Sequence, residues 1–263
     1  MTSVLDFARF KMEGRRISIV TAYDAWSARL VARSRVDAVL VGDSAAMVVH
    51  GHENTLAATV ALMALHTRAV ARGAAGKFLI ADLPFLSFRK GVPAAMSAVG
   101  TLVASGAQAV KLEGVDGHEE VIRRVVGSGV PVMGHIGLTP QSVNQFGGFR
   151  VQGRSEEDAA TLLRQAHDLE NLGCFAVVIE CVPADLAGRI TSELRVPTIG
   201  IGAGPRTDGQ VLVLQDLWGV DPGRTPRFVR RYVDGEAVLT GALDRYDADV
   251  KEARFPGTEE SYS

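Results

Sequence analysis

The 263-residue chain contains only two cysteines, Cys174 and Cys181. A disulfide framework or a Cys-rich zinc site needs more, so both are excluded and a reducing compartment is expected. Neither sign of charge is in excess: 28 Lys and Arg face 30 Asp and Glu, for a net charge of −2. That excludes a basic nucleic-acid surface and an acidic interaction tail. No run approaches the ~18 uninterrupted apolar residues that span a membrane. The opening Met1-Thr2-Ser3-Val4-Leu5-Asp6-Phe7 lacks the basic segment and apolar stretch of a secretory signal. A cytoplasmic globular protein without a membrane partner is expected. There is no G-x-x-x-x-G-K-[ST] phosphate loop and no G-x-S-x-G elbow, which argues against P-loop nucleotide triphosphatases and serine hydrolases of the elbow type. Fixed-period repeats and low-complexity tracts are also missing.

Glycine is plentiful, with 28 residues, and this implies many tight turns between short elements. The dominant pattern is a short β-branched run, a Gly- or Asp-containing turn, then a helix-like stretch. Strands are predicted at 17–22, 38–41, 78–81, 109–112, 130–133, 176–179, 197–200 and 211–214. Helices are predicted at 25–34, 60–72, 94–105, 119–126, 156–172 and 184–194, with a C-terminal helical segment over about 226–253 and a polar tail to Ser263. Near-continuous apolar strands are the pattern of parallel strands buried on both faces. Eight such units over this length fit a single-domain (β/α)₈ TIM barrel spanning residues 1–263. An open doubly wound sheet uses the same alternation and remains the rival. The glycines of Gly200-Ile201-Gly202-Ala203-Gly204 are not spaced as a dinucleotide fingerprint. They read as a close-approach turn beside a ligand.

Asp43, Asp82, Glu113, His135 and Glu180 each follow the end of a different apolar run, and Lys111 lies within one. A barrel gathers all strand C-termini onto one face, which would bring these residues into one pocket. Three acids at close range, Asp43, Asp82 and Glu113, repel each other unless a cation compensates, and Mg²⁺ suits carboxylate and water ligands. The competing reading makes them helix caps or partners of Arg. Only five of the 28 basic residues are Lys. A Lys in an apolar run of so Arg-rich a chain suggests a chemical choice: Lys111 holding a substrate carboxylate, or else paired with Glu113 alone. Glu180 at an apolar mouth is a candidate general base, or else a cap. His135 is either a donor to a substrate oxygen or a buried structural residue. His50 and His52 read as loop residues.

Eight ordered segments then match one family. They are Thr21-Ala22-Tyr23-Asp24, Val41-Gly42-Asp43-Ser44, Ala81-Asp82-Leu83-Pro84-Phe85, Val110-Lys111-Leu112-Glu113-Gly114, Gly134-His135-Ile136-Gly137-Leu138-Thr139-Pro140-Gln141, Glu180-Cys181-Val182-Pro183, Thr198-Ile199-Gly200-Ile201-Gly202-Ala203-Gly204 and Asp208-Gly209-Gln210-Val211-Leu212-Val213. From about residue 4 to residue 257 the chain resembles the ketopantoate hydroxymethyltransferases. The resemblance implies a (β/α)₈ barrel of the phosphoenolpyruvate/pyruvate superfamily. It implies Mg²⁺ on Asp43, Asp82 and, directly or through water, Glu113. A 2-oxoacid would chelate that metal, with Ser44, Lys111 and His135 around its oxygens. Glu180 is implied as acid/base, methylene-tetrahydrofolate as one-carbon donor, and a homo-oligomer, a decamer, as the assembly.

The chain departs from the family pattern at several positions. Ala45-Ala46-Met47 stand where Leu-Gly-Met is usual, His52 where Tyr is common, and Asn54-Thr55-Leu56 where Ser-Thr-Leu is. Asn144 replaces a usual His and Thr207 a usual Cys. Two other functions stay open at this level: a Mg²⁺-dependent 2-oxoacid aldolase or lyase working without folate, and a relative that binds a metabolite without catalysis.

Overall fold

The computed structural model describes residues 2–221, 223 and 225–262; Met1, Pro222, Arg224 and Ser263 lie outside the described residues. It separates into two compact units, Met1–Val213 and Leu214–Ser263.

The first unit is a closed barrel of eight parallel strands in sequence order. They are β1 Ile17–Thr21, β2 Ala38–Val41, β3 Phe78–Asp82, β4 Ala109–Lys111, β5 Val132–Gly137, β6 Ala176–Glu180, β7 Thr198–Ile201 and β8 Gly209–Leu212. The closing pair is β1 with β8, in register from Ile17↔Gly209 to Val20↔Leu212. Every residue of β2, β3, β4 and β5 is buried, which is why these strands are written as unbroken apolar runs and not alternating ones. Closure excludes the open doubly wound sheet.

Three local features differ from the sequence expectation. Strand β5 starts two residues later than predicted and runs on to Gly137, so His135 lies inside the strand. Strand β8 is displaced two residues toward the N-terminus. Residues 202–208 join β7 to β8 with no helix between them. Asp208 anchors that link: its Oδ2 accepts from Thr198 N at 2.8 Å and pairs with Lys11 Nζ at 2.8 Å. Two glycines of the 200–204 segment are closely approached by the protein's own atoms. An added Cβ would lie 2.6 Å from Thr207 Oγ1 at Gly200 and 2.4 Å from Ala184 Cβ at Gly204.

An N-terminal helix absent from the sequence reading, Val4–Met12, begins with a capping box between Ser3 and Asp6. Its Phe7 and Phe10 are buried. Phe7 packs on Phe78 and Phe175, with ring centroids 5.7 and 5.4 Å away. Both partners stand at or just before the starts of strands, so the helix stoppers the N-terminal end of the barrel. Above it the interior layer contains Leu40, Ile80, Ala109, Met133, Val178 and Ile199. The functional end is the opposite one.

In the second unit the helices are Leu214–Trp218 and Gly235–Lys251. The residues from 226 to 234 are not helical, so the predicted C-terminal helix is shorter than expected. Asp234 caps it, accepting from Ala237 N at 3.3 Å. No helix among the described residues is long and apolar enough to cross a membrane.

The stopper gives the first prediction. Phe7 is fully buried, and Phe7→Ala should cost about 3–5 kcal/mol of unfolding free energy. Urea denaturation reads it; a loss below about 1 kcal/mol would show that the helix is not part of the core.

Candidate active site

Side chains alternate along a strand, so residues two apart share a face. Ile80, Ala109, Met133 and Val178 fill the barrel interior. Two positions later on the same strands stand Asp82, Lys111, His135 and Glu180. These four therefore form the next layer up, at the C-terminal mouth. Register sharpens the placement: Asp82 pairs with Lys111 across β3 and β4, and Gly137 pairs with Glu180 across β5 and β6. Asp43 follows the end of β2 and Glu113 the end of β4. The structure thus brings together every residue singled out from the sequence for the pocket.

None of the strand-end acids caps a helix. The N-caps that follow β2, β3, β4 and β6 are Ser44, Gly91, His118 and Pro183. The acids instead form one buried network. Lys111 Nζ lies 2.9 Å from Asp82 Oδ1, so the ammonium meets Asp82 and not Glu113. The pair has charge contact without a well-directed hydrogen bond to Oδ1. Asp82 Oδ2 accepts from the backbone N of Asp43 at 3.1 Å. His135 stands between two carboxylates, with Nδ1 3.6 Å from Glu113 Oε1 and Nε2 3.2 Å from Glu180 Oε2. Its Nδ1 is also 3.5 Å from Lys111 Nζ.

Gln141 is the member that the sequence reading missed. Its side-chain Nε2 donates to Asp43 Oδ2 at 2.8 Å and to Leu83 O at 2.9 Å, and its backbone N donates to Glu113 Oε2 at 2.9 Å. One residue on the turn after β5 therefore ties Asp43 to Glu113. A neutral amide carries no charge or periodicity signal, and only its place in a family segment pointed to it.

The electrostatics follow from burial. Asp43 has its pKa raised well above the carboxylate range, by burial first and then by the charges of Asp82 and Glu113. Asp82 is raised by burial, with Lys111 opposing. Burial also works against ionised Glu113, but His135, Lys111 and the backbone N–H of Gln141 together outweigh it and the net shift is downward. Burial would discharge Lys111, yet Asp82, Glu113 and Asp43 hold it protonated. His135 is pushed up to about 9: burial and the Lys111 ammonium lower it, while Glu113 and Glu180 more than compensate. Cys181, next to Glu180 at a φ of 48°, has a thiol pushed up to about 12 by burial and by Glu180, so it is no thiolate nucleophile.

Four carboxyl groups thus face two cations, Lys111 and His135. With all four ionised, two negative charges lack a counterion, which is the deficit that a divalent cation corrects. Among the described residues Asp43 has no basic side chain as an ion-pair partner, and the neutral amide of Gln141 donates to it. Among the described residues no three His, Cys, Asp or Glu side chains converge into a ready-made cage. The donor set suits a hard ion that takes one or two carboxylates and completes its shell with water and substrate oxygens. His50 and His52 stand apart from this network.

Comparison with known proteins gives the family of the chain. The family model described as ketopantoate hydroxymethyltransferase matches residues 1–258. A 3-methyl-2-oxobutanoate hydroxymethyltransferase from Bdellovibrio bacteriovorus is 54% identical over 263 residues, covering 100% of both chains. The chain belongs to the ketopantoate hydroxymethyltransferase family. Among solved structures, a phosphonopyruvate hydrolase complex with oxalate and Mg²⁺ superposes with a TM-score of 0.67 at 14% identity, over 99% of this chain and 93% of that one. A 2,3-dimethylmalate lyase of the PEP mutase/isocitrate lyase superfamily gives 0.57 at 16% identity, over 100% and 92%. These likenesses show the shared barrel fold.

Gly137 tests how tightly the mouth is built. Its φ is +91°, and an added Cβ would lie 2.2 Å from the carbonyl oxygen of Glu180. Gly76 has a φ of +83° with open space around it, so Gly76→Ala measures conformational strain alone, about 1–3 kcal/mol. Gly137→Ala should cost more than that control and lower activity by displacing Glu180. Equal urea midpoints and unchanged turnover would show that the β5–β6 contact does not fix the carboxylate.

Proposed function

We propose that this member of the family transfers a hydroxymethyl group from methylene-tetrahydrofolate to 3-methyl-2-oxobutanoate, giving 2-dehydropantoate on the route to pantothenate and coenzyme A. The observation that carries the reading is the charge-deficient cluster of Asp43, Asp82, Glu113 and Glu180 around Lys111 and His135. It stands in a chain whose full-length relative bears the name of that reaction. Asp43 and Asp82 would hold Mg²⁺, with Glu113 directly or through water. The ion bound there supplies a Lewis acid that polarises the keto group and stabilises negative charge on its oxygen.

The chain's own residues do the rest. Ser44 and Lys111 bind the oxoacid carboxylate, Lys111 as a buried point charge. His135, protonated up to about 9, donates toward the keto oxygen, where negative charge grows as the C3–H bond breaks. C3 then bonds to the one-carbon unit of the folate as one of its two carbon–nitrogen bonds breaks; the second breaks as water supplies the new hydroxyl, and the two folate nitrogens take up the C3 proton and one proton of that water. Glu180, partly open at the mouth, passes protons among the folate nitrogen, that water and the product. Folate brings the one-carbon unit, and the barrel orients both partners. The reading places the reaction in the cytoplasm and in a homo-oligomer. Exposed Trp26, Leu30 and Leu65 on neighbouring helices support self-association.

Consumption of 3-methyl-2-oxobutanoate should require both Mg²⁺ and methylene-tetrahydrofolate. Turnover without the folate would replace this reading by the folate-free aldolase or lyase. In the complete assay Glu180→Gln should lower turnover by about 10²–10⁴ with near-normal oxoacid binding. Weakened binding with unchanged turnover would assign Glu180 to positioning.

Lys111→Met should raise the oxoacid dissociation constant by roughly 10- to 150-fold, the worth of one charge-assisted contact. Lys111→Arg, longer and planar, should keep the charge and still lose most activity. Calorimetric titration with Mg²⁺ present decides. Wild-type affinity in Lys111→Met would make the lysine only a structural partner of Asp82.

A further inference from the structure

The loop leaving β2 starts with Asp43 and Ser44 and continues through the short helix Ala45–Val48 to His52. Its backbone is wound on itself. Val48 N donates to Ser44 O at 3.0 Å, His50 N to Ala45 O at 3.2 Å and His52 N to Ala46 O at 2.9 Å. A loop bonded in this way shifts as a unit, so whatever holds its far end also holds Ser44.

Both ends lead to one residue. Tyr23 follows β1 and is 2% exposed. Its hydroxyl lies 2.8 Å from Ser44 Oγ. Its carbonyl oxygen lies 2.6 Å from Nδ1 of His66, on the helix Val60–Gly73. The other nitrogen of His66, Nε2, lies 2.8 Å from Nε2 of His50, on the exposed end of the loop.

The acceptors settle the protons. A backbone carbonyl can only accept, so Nδ1 of His66 carries hydrogen. In the neutral ring Nε2 then offers a lone pair, and His50 Nε2 is the donor to it. At the other end the phenol stays protonated. Burial raises its pKa and the charges of Asp82 and Asp43 add to that, while its contacts with Ser44 and Thr21 oppose without reversing it. Both Thr21 and Ser44 interact with the phenol. A Ser44 oxygen that accepts from Tyr23 is left to donate its own hydrogen to an anion.

We infer that Tyr23 is a positioning residue for the oxoacid site. It clamps the β2 loop through Ser44 at one end and through the His66–His50 pair at the other, and so presents the Ser44 hydroxyl to the substrate carboxylate. The clamp gives His50 a role that its isolation from the carboxylate network left open. The substrate half of the inference rests on the reading given under Proposed function, but the clamp itself does not.

Two measurements on the full chain test it. The first is amide hydrogen exchange over residues 45–52. Tyr23→Phe and His50→Ala should each speed exchange there by roughly 3- to 10-fold, the worth of one hydrogen bond. His50→Gln, which keeps a donor nitrogen, should recover much of the protection. The second is kinetic. Tyr23→Phe should raise the KM for 3-methyl-2-oxobutanoate by roughly 3- to 10-fold with kcat within about twofold. In a Ser44→Ala background the same change should add nothing. Unchanged exchange in both single variants overturns the clamp. Additive KM effects, or a fall in kcat at constant KM, overturn the route through Ser44. Should Tyr23→Phe fail to fold, the exposed His50→Ala and His50→Gln pair still decides the exchange arm. A wild-type enzyme inactive on the oxoacid would remove the substrate assignment, while exchange would still judge the clamp.

Discussion

Too much negative charge in too little water is the constraint on which the rest of this structure depends. Asp43, Asp82 and Glu113 are each buried to within a few percent of complete enclosure. A buried carboxylate must be paired, hydrogen-bonded or protonated. Lys111 serves Asp82, His135 serves Glu113 and Glu180, and Gln141 spans Asp43 and Glu113. Among the described residues Asp43 has only the Gln141 amide as a side-chain donor, and burial, with the charges of Asp82 and Glu113, drives its pKa up. A site at rest with an uncompensated acid is one whose stability improves when a cation and a correctly shaped anion arrive together. Binding energy and catalytic electrostatics then come from the same arrangement.

The barrel makes that arrangement possible because it separates two tasks along one axis. The lower layers are apolar and are stoppered by Phe7 and Phe10 of the N-terminal helix. The upper layer, two residues further along the strands, holds the ionisable groups. Strand pairing sets the spacing: Asp82 and Lys111 are register partners, so their ion pair follows from sheet geometry and needs no flexible loop. The rigid lower barrel therefore bears the mechanical cost of holding like charges together.

How much of this was legible depended on the range of the interaction. The strands could be read because burial on both faces leaves β2, β3 and β5 as apolar runs. The site could be read because Asp82, Lys111, His135 and Glu180 interrupt or end such runs. Gly134 reads in sequence as a strand end, yet it is a strand residue that must be small because Leu169 lies where its Cβ would go, 2.6 Å away. The N-terminal stopper was not read, since nine residues with two aromatic anchors carry little periodicity. The helix-free β7–β8 link depends on Asp208 reaching Thr198 and Lys11. Gln141 depends on contacts between elements far apart in sequence. Such contacts exist only once the barrel has closed, and no local propensity records them.

The same distinction explains why the upper layer is so heavily braced. Strand ends are where backbone order gives way to loops, and loops are normally the mobile part of a barrel. Here the loop after β5 is held to Glu113 and Asp43 by Gln141, and the end of β5 is pressed on the Glu180 carbonyl through Gly137. The loop after β2 is tied to Tyr23, directly at Ser44 and through His66 at His50. Three of the braces are uncharged: an amide, a glycine and a phenol. A charged brace would shift the pKa values of the carboxylates it was meant to hold still, since at these distances every charge in the mouth is felt by every other. Neutral hydrogen bonds fix direction without adding to the field, so the sign and size of the charge deficit stay set by the carboxylates, Lys111 and His135 alone.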